Sequence, residues 1–543
     1  MFNHPLSALV LIFCILLPAT TVSAQSANNL NAASFSIILE GGSVWKGSGS
    51  APTKQDIGIR DDRIVAVGDL SGQPAEQRLD VTGLSVVPGF VDIHSHATRA
   101  TRKNSGLFLH PDAESYIRQG VTTAIGGPDG SSVTEVGKLL SDLEETPAAV
   151  NYGTFIGHNT VRKQVMGREN RAPTAAELES MKALIKTGML EGAFGLSSGL
   201  KYIPGAYANT EEVIELAKVA GQYNGIYISH MREEGLDLLA SVRETIRIGE
   251  EGGLPAQITH HKAMGVEMWG ASKQSLKLVD EANGRGVDVT SDQYPYAASS
   301  TGISVLFPAW SLAGGRDEQL ARFRDPDTRA EVKKGIVFNL VHDRGGDDPS
   351  RIAIANCGWD TSLNGKNFAE ILAERDQPIN MDEAAELALE IQENGGCSGI
   401  FHSMSEEDVA RIMQHPRTMI ASDGGIYVAG EGMPHPRNYG TFARVLAYYV
   451  RDTQTISTGE AIYKMSKFPA DRIGLHERGR IEEGAMADIA VLDMNLVQDN
   501  ATFAEPHQYA TGVKHVLVNG VFALKDGQMT GARPGRPLRS KQE

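Results

Sequence analysis

The chain has 543 residues, of which 41% are hydrophobic and 22% charged, and its formal net charge is -16. That length exceeds one compact core of ordinary size, and the composition excludes extended disorder. An acidic chain without a Lys/Arg run is a poor electrostatic match for nucleic acid or an anionic membrane surface.

Taken in chain order, residues 1–24 read as a signal peptide. The apolar run from Ala8 to Leu17 is too short to span a bilayer. Val22-Ser23-Ala24 before Gln25 forms a small-residue cleavage pattern, although Met1-Phe2-Asn3-His4 lacks the usual Lys or Arg. The mature protein is therefore expected to be exported, periplasmic or secreted, with no membrane association once the leader is removed. Cys14 falls inside the leader, leaving Cys357 and Cys397 in the body. Two cysteines make no disulfide framework; they read as buried packing residues, a single disulfide being the other possibility.

Residues 25–86 alternate as short strands separated by turn clusters such as Asp61-Asp62, and the same texture returns over 471–543 with the turn Asn519-Gly520. The two ends are expected to build one small β-sandwich. Between them, residues 87–470 have a βα rhythm, with strands predicted near 86–94, 121–126, 151–157, 193–198, 226–230, 256–260, 287–292 and 419–423. Eight such units close a barrel, so the fold class is α/β, a (β/α)8 TIM-like barrel. An insertion after strand 7, at about 303–415, is expected to overhang the barrel mouth as a lid.

The strongest chemical signal is Pro88-Gly89-Phe90-Val91-Asp92-Ile93-His94-Ser95-His96. Residues two apart on a strand share a face, so His94 and His96 project to one side at the strand's end and supply half a metal site. Strand 5 ends in Ser229-His230, strand 6 in Thr259-His260-His261-Lys262, and strand 8 in Ser422-Asp423-Gly424. Histidines and an aspartate thus fall at the C-terminal ends of strands 1, 5, 6 and 8, all opening on the face where barrel enzymes place their chemistry. Unrelated structural histidines would not follow that rule.

This pattern resembles the amidohydrolase superfamily. More specific stretches resemble its D-aminoacylase (N-acyl-D-amino-acid deacylase) family: Gly157-His158-Asn159-Thr160-Val161-Arg162, Gly195-Leu196-Ser197-Ser198-Gly199-Leu200 and Tyr227-Ile228-Ser229-His230-Met231-Arg232-Glu233-Glu234. Tyr294-Pro295-Tyr296 and Pro434-His435-Pro436-Arg437 belong to the same likeness, which covers nearly the whole mature chain.

The resemblance implies one or two Zn(2+) per subunit, with His230 and His260 holding the tighter ion and His94, His96 and Asp423 lining a weaker position. It also implies hydrolysis of N-acyl-D-amino acids by metal-activated water, with Asp423 as general base and acid. In the best-known members a cysteine ending strand 2 helps hold zinc; here the segment reads Gly126-Gly127-Pro128-Asp129-Gly130. Asp129 and a carboxylated Lys201 beyond strand 4 are the two candidate replacements, the third alternative being that neither takes the cysteine's place. The expected partner is a small-molecule substrate with a free carboxylate, met by Lys262, Tyr294, Ser300 and Arg437, with His158 and Arg162 as further candidates. The competing readings are a dipeptidase or a cyclic amide or lactone hydrolase on the same site, and a catalytically silent binding protein.

Overall fold

The computed structural model describes residues 34–98 and 106–541; the leader expected at 1–24 lies outside them. All eight expected barrel strands form: β1 (Phe90–Asp92), β2 (Val121–Gly126), β3 (Asn151–Thr154), β4 (Gly195–Gly199), β5 (Ile226–His230), β6 (Ala256–Ile258), β7 (Val289–Gln293) and β8 (Thr418–Ile420). Every residue of these strands is buried, as expected of parallel strands covered on both faces. The intervening helices are amphipathic. Leu238–Gly252 buries Leu238, Val242, Thr245, Ile246 and Gly249 along one stripe and ends at Gly253, whose φ of 70° suits a left-handed cap. Ala175–Leu190 begins with a capping box in which Thr174 and Glu177 satisfy each other's backbone amides.

Neighbouring strands pair in parallel around the ring, with β3 reaching β4 through its continuation Ile156–Gly157. The seam between β1 and β8 closes at the mouth. There Ser95–His96 pairs with Gly424–Gly425, Asp423 N donates to His94 O at 2.9 Å, and Ser422 N donates to the buried Asp92 carboxylate at 2.9 Å. The segments that carry the expected ligands therefore also complete the barrel.

The two chain ends join as expected, but the sandwich takes the form of one hydrogen-bonded sheet of nine strands. Ser85–Pro88 runs antiparallel to Ile489–Leu492 just before the chain enters β1. Ile37, Leu39, Ile57, Ile489 and Leu517 are among the residues of this sheet's own core. The last segment leaves the sheet and braces the barrel, Leu538 N donating to Tyr152 O at 2.7 Å. Among the described residues, no helix is long and apolar enough to cross a membrane.

The insertion after β7 is centred on a three-stranded antiparallel sheet of Ser299–Gly302, Ser398–Phe401 and Ile352–Asn356. Its helices enclose a separate core that includes Ile303, Phe323, Ile336, Phe368 and Leu387. Its limits differ from the predicted 303–415. The sheet begins at Ser299, and helix Glu406–Gln414 already belongs to the barrel, burying Val409, Ile412 and Met413. The reading of Cys357 and Cys397 as separate packing residues is also corrected, because they form a disulfide with Cα atoms 4.5 Å apart. Register explains it. Asn356 pairs with Ser398 across antiparallel strands, so the next residue of one strand faces the preceding residue of the other.

Candidate metal centre and substrate cavity

Three residues at the mouth adopt a backbone that few side chains tolerate. Asp129, His260 and Asp423 have φ of 53°, 35° and 47°. The left-handed region costs a non-glycine residue about 1–2 kcal/mol, and Asp, Asn and His are the types most often found there. Specific bonds hold these turns: Asp423 N reaches His94 O at 2.9 Å, and His260 N reaches Asp292 Oδ1 at 2.7 Å. The reversed backbone lets each side chain leave the strand's alternation and join the cluster.

Two groups of metal-capable side chains meet here: His94, His96, Asp129 and Asp423, and then Asp129, His230 and His260, with ligand atoms inside each group within 4.8 Å of one another. Asp129 belongs to both. Its Oδ1 lies 3.5 Å from His94 Nε2, 3.5 Å from His260 Nε2 and 3.8 Å from His230 Nδ1. Its Oδ2 lies 3.3 Å from His96 Nε2. Asp423 Oδ1 lies 3.0 Å from His96 Nε2 and 3.5 Å from His94 Nε2.

Electrostatics match a cation site. Burial opposes charge on Asp129, yet His94 and His260 hold its carboxyl well below the usual range. Burial likewise opposes charge on Asp423, and Arg437 with His94 outweighs it, keeping the carboxylate ionised. Burial pushes His230 down to about 3 and keeps its imidazole neutral, as a metal ligand requires. Within the cluster, buried His94 Nε2 and Asp129 Oδ1 have no hydrogen-bond partner. Such orphans cost about 1–3 kcal/mol each, and imidazole nitrogens beside carboxylate oxygens are donors that a divalent metal ion satisfies. The residues present fit two metal positions that share Asp129.

Of the two candidates for the missing cysteine, the structure brings Asp129 into the cluster and leaves Lys201 out. Lys201 Nζ is held by Glu233 and lies 3.2 Å from Asp343 Oδ2. Although burial opposes its charge, Asp343 and Glu233 raise its pKa, so it is poorly suited to carboxylation, which starts from the free amine. His158 is also corrected. It is fully buried against Glu212 Oε1 at 2.9 Å, where Arg162 Nε joins at 3.0 Å. That cluster ties helix to helix, and neither residue lines the cavity.

The metal-capable groups open on a cavity of about 1150 Å³. Lys262, Tyr294, Ser300 and Arg437 all line it, together with Arg344, Asn356 and Ser398 from the insertion. Arg437 places Nη1 2.7 Å from Asp423 Oδ2, donates from Nη2 to Ser300 O at 3.3 Å, and lies 4.7 Å from the centre of the Tyr294 ring. The buried Tyr294 hydroxyl has no protein partner.

Sequence reasoning missed Glu234 and Asp292. Glu234 Oε1 is 2.6 Å from Lys262 Nζ and 3.1 Å from His260 Nδ1. Asp292 Oδ1 is 3.4 Å from His94 Nδ1. The only signal for Glu234 is a carboxylate four residues after a candidate ligand, and Glu233 beside it looks the same in sequence.

Residues 338–523 match a family model described as the amidohydrolase family. A D-aminoacylase from Alcaligenes xylosoxydans xylosoxydans is 35% identical over 93% of this chain and 97% of its own length. An N-acyl-D-glutamate deacylase from the same organism is 33% identical over 93% and 96%. The solved structure of N-acyl-D-glutamate deacylase from Bordetella bronchiseptica, complexed with zinc and a phosphonate inhibitor, superposes with a TM-score of 0.78. It is 31% identical and matches over 93% of this chain and 100% of that one. Strand-end histidines, a shared aspartate and full-length similarity agree, and the chain belongs to the D-aminoacylase family of metal-dependent amidohydrolases.

Proposed function

We propose that the protein hydrolyses the amide bond of N-acyl-D-amino acids with zinc as its metal, releasing a carboxylic acid and a free D-amino acid. The observation that carries this reading is the meeting of both metal-capable groups with Lys262, Tyr294 and Arg437 on one cavity. His230, His260 and Asp129 would hold one ion, and His94, His96, Asp129 and Asp423 the other. When bound, zinc supplies Lewis acidity, polarising the amide carbonyl and lowering the pKa of water.

The chain's own groups do the rest. Asp423, kept ionised by Arg437, takes a proton from the attacking water and returns it to the departing amide nitrogen as the C–N bond breaks. The Lys262 ammonium, the free Tyr294 hydroxyl and the Arg437 guanidinium face the substrate's α-carboxylate, with the Ser300 hydroxyl beside them. The D preference rests on the relatives' names. Export is supported by the leader-like residues 1–24 and by the Cys357–Cys397 bond, since disulfides persist in oxidising compartments.

The test is release of free amino acid from paired N-acetyl-D- and N-acetyl-L-amino acids by zinc-loaded and chelated enzyme. Hydrolysis confined to the D set, lost on chelation and restored by zinc, is expected. Zinc-loaded enzyme active only on dipeptides or cyclic amides would overturn the assignment.

A further inference from the structure

Arg344 is a buried cation on the cavity wall that the reaction as derived above leaves without a task. It ends the turn Leu340–Arg344, which follows the insertion's helix Pro326–Asn339. That turn sits directly on the loops after β5 and β6, where Gly235 and Gly265 have no room for a Cβ against Asp343 Oδ1 and the His342 carbonyl. The β6 loop also carries Lys262, and Arg344 Nη1 reaches Met264 Sδ in it at 3.1 Å. Arg344 therefore stands beside the loop whose ammonium faces the substrate's α-carboxylate.

A guanidinium has five N–H donors and keeps its charge in a protein. Taking it out of water is costly unless other acceptors replace the water. Here they are few. Asp343 Oδ2 lies 3.2 Å from Nε, but the same oxygen lies 3.2 Å from Lys201 Nζ, and Nε makes no hydrogen bond. Glu233 and Glu234 nearby are each paired with a lysine, Lys201 and Lys262. The Met264 thioether is a weak acceptor, and Nη2 meets no protein acceptor among the described residues. The Phe401 ring, its centre 5.5 Å from Cζ, braces the group. Arg344 is 3% exposed and lines the cavity, so the donors the protein leaves over are available to what enters there.

On the reading that this cavity binds N-acyl-D-amino acids, we infer that Arg344 is a specificity-determining residue for substrates whose amino-acid side chain ends in a second carboxylate, of the glutamate or aspartate type. Lys262, Tyr294 and Arg437 serve the α-carboxylate, and Arg344 offers separate donors for the carboxylate on the side chain. A carboxylate there supplies the acceptors that Asp343 and Met264 do not, in the geometry a guanidinium matches best. A neutral side chain leaves those buried donors short of a partner, so the site discriminates against it as well as favouring the acid.

The experiment compares kcat/KM for N-acetyl-D-glutamate and N-acetyl-D-glutamine, which has the same shape without the charge, on zinc-loaded wild-type, Arg344→Met and Arg344→Lys protein. Wild type should prefer the glutamate substrate by about 10–100-fold. Arg344→Met should bring that ratio to within a few-fold of one. Arg344→Lys, which keeps the charge and loses the planar fork, should fall between. A wild-type ratio near one, or a preference for the glutamine substrate, would overturn the assignment. So would an unchanged ratio in Arg344→Met, because a residue that only braces the insertion slows both substrates alike. If Arg344→Met fails to fold, Arg344→Lys decides by the same ratio, and no drop from wild type would exclude the role. Wild-type protein that hydrolyses no N-acetyl-D-amino acid would instead remove the functional reading beneath it.

Discussion

At the barrel mouth, His230 ends a parallel strand, and His94, Asp129, His260 and Asp423 each follow one within three residues. Across the cavity, Ser300, Arg344, Asn356 and Ser398 come from the insertion, which has its own sheet, core and disulfide. His94 and Asp423 are tied to the seam between β1 and β8, and Asp129, His230 and His260 to the ends of β2, β5 and β6. The second set is joined to the barrel through β7 and the helix preceding β8, with Lys201, Glu233, Asp343 and Arg344 clustered at the junction. Rigid strand ends suit bond-breaking chemistry, and a separately folded cover suits the choice of substrate.

The contrast can be broken most sharply at Asp423. Asp423→Asn keeps the size and one acceptor oxygen but removes the proton carrier, so kcat should fall by about 10²–10⁴-fold. Zinc should be weakened at the position formed by His94, His96, Asp129 and Asp423 and retained at that of His230, His260 and Asp129; steady-state kinetics and metal analysis check this. Next is Lys262→Met, which should raise KM by about ten- to a hundredfold with a smaller effect on kcat, because a charge facing the substrate carboxylate is lost. The smallest effect on chemistry belongs to the insertion. Replacing Cys357 and Cys397 with serine opens a loop whose ends are 40 residues apart, and loop entropy of that size is worth about 4 kcal/mol. Limited proteolysis should cut the insertion in that variant, while zinc content matches wild type. Loss of zinc on opening the disulfide would show that cover and centre are one cooperative unit.

Much of the mouth was legible because strands alternate. His94 and His96 share a face by spacing alone, and the single histidines ending β5 and β6 fall where the βα rhythm stops. Asp129 and Lys201 could not be ranked that way, since each lies in a turn whose direction depends on its neighbours; φ of 53° at Asp129 and the Glu233–Asp343 pair at Lys201 decide it. His158 was misread because a polar residue after a strand looks alike whether it meets a substrate or, as here, Glu212. The pairing of Cys357 with Cys397 follows from the Asn356–Ser398 register inside an insertion whose strands the βα pattern does not reveal.

Asp129, common to both groups at the mouth, would make their occupancies thermodynamically coupled. A carboxylate divided between two cations gives less to each, so the first ion meets a whole aspartate and the second a shared one. Such coupling is reciprocal by linkage: whatever the second ion loses through the first, the first loses through the second. The number of ions the protein carries would then depend more gradually on the free metal concentration around it, and the centre would behave as a graded reader of that supply rather than as two separate sockets.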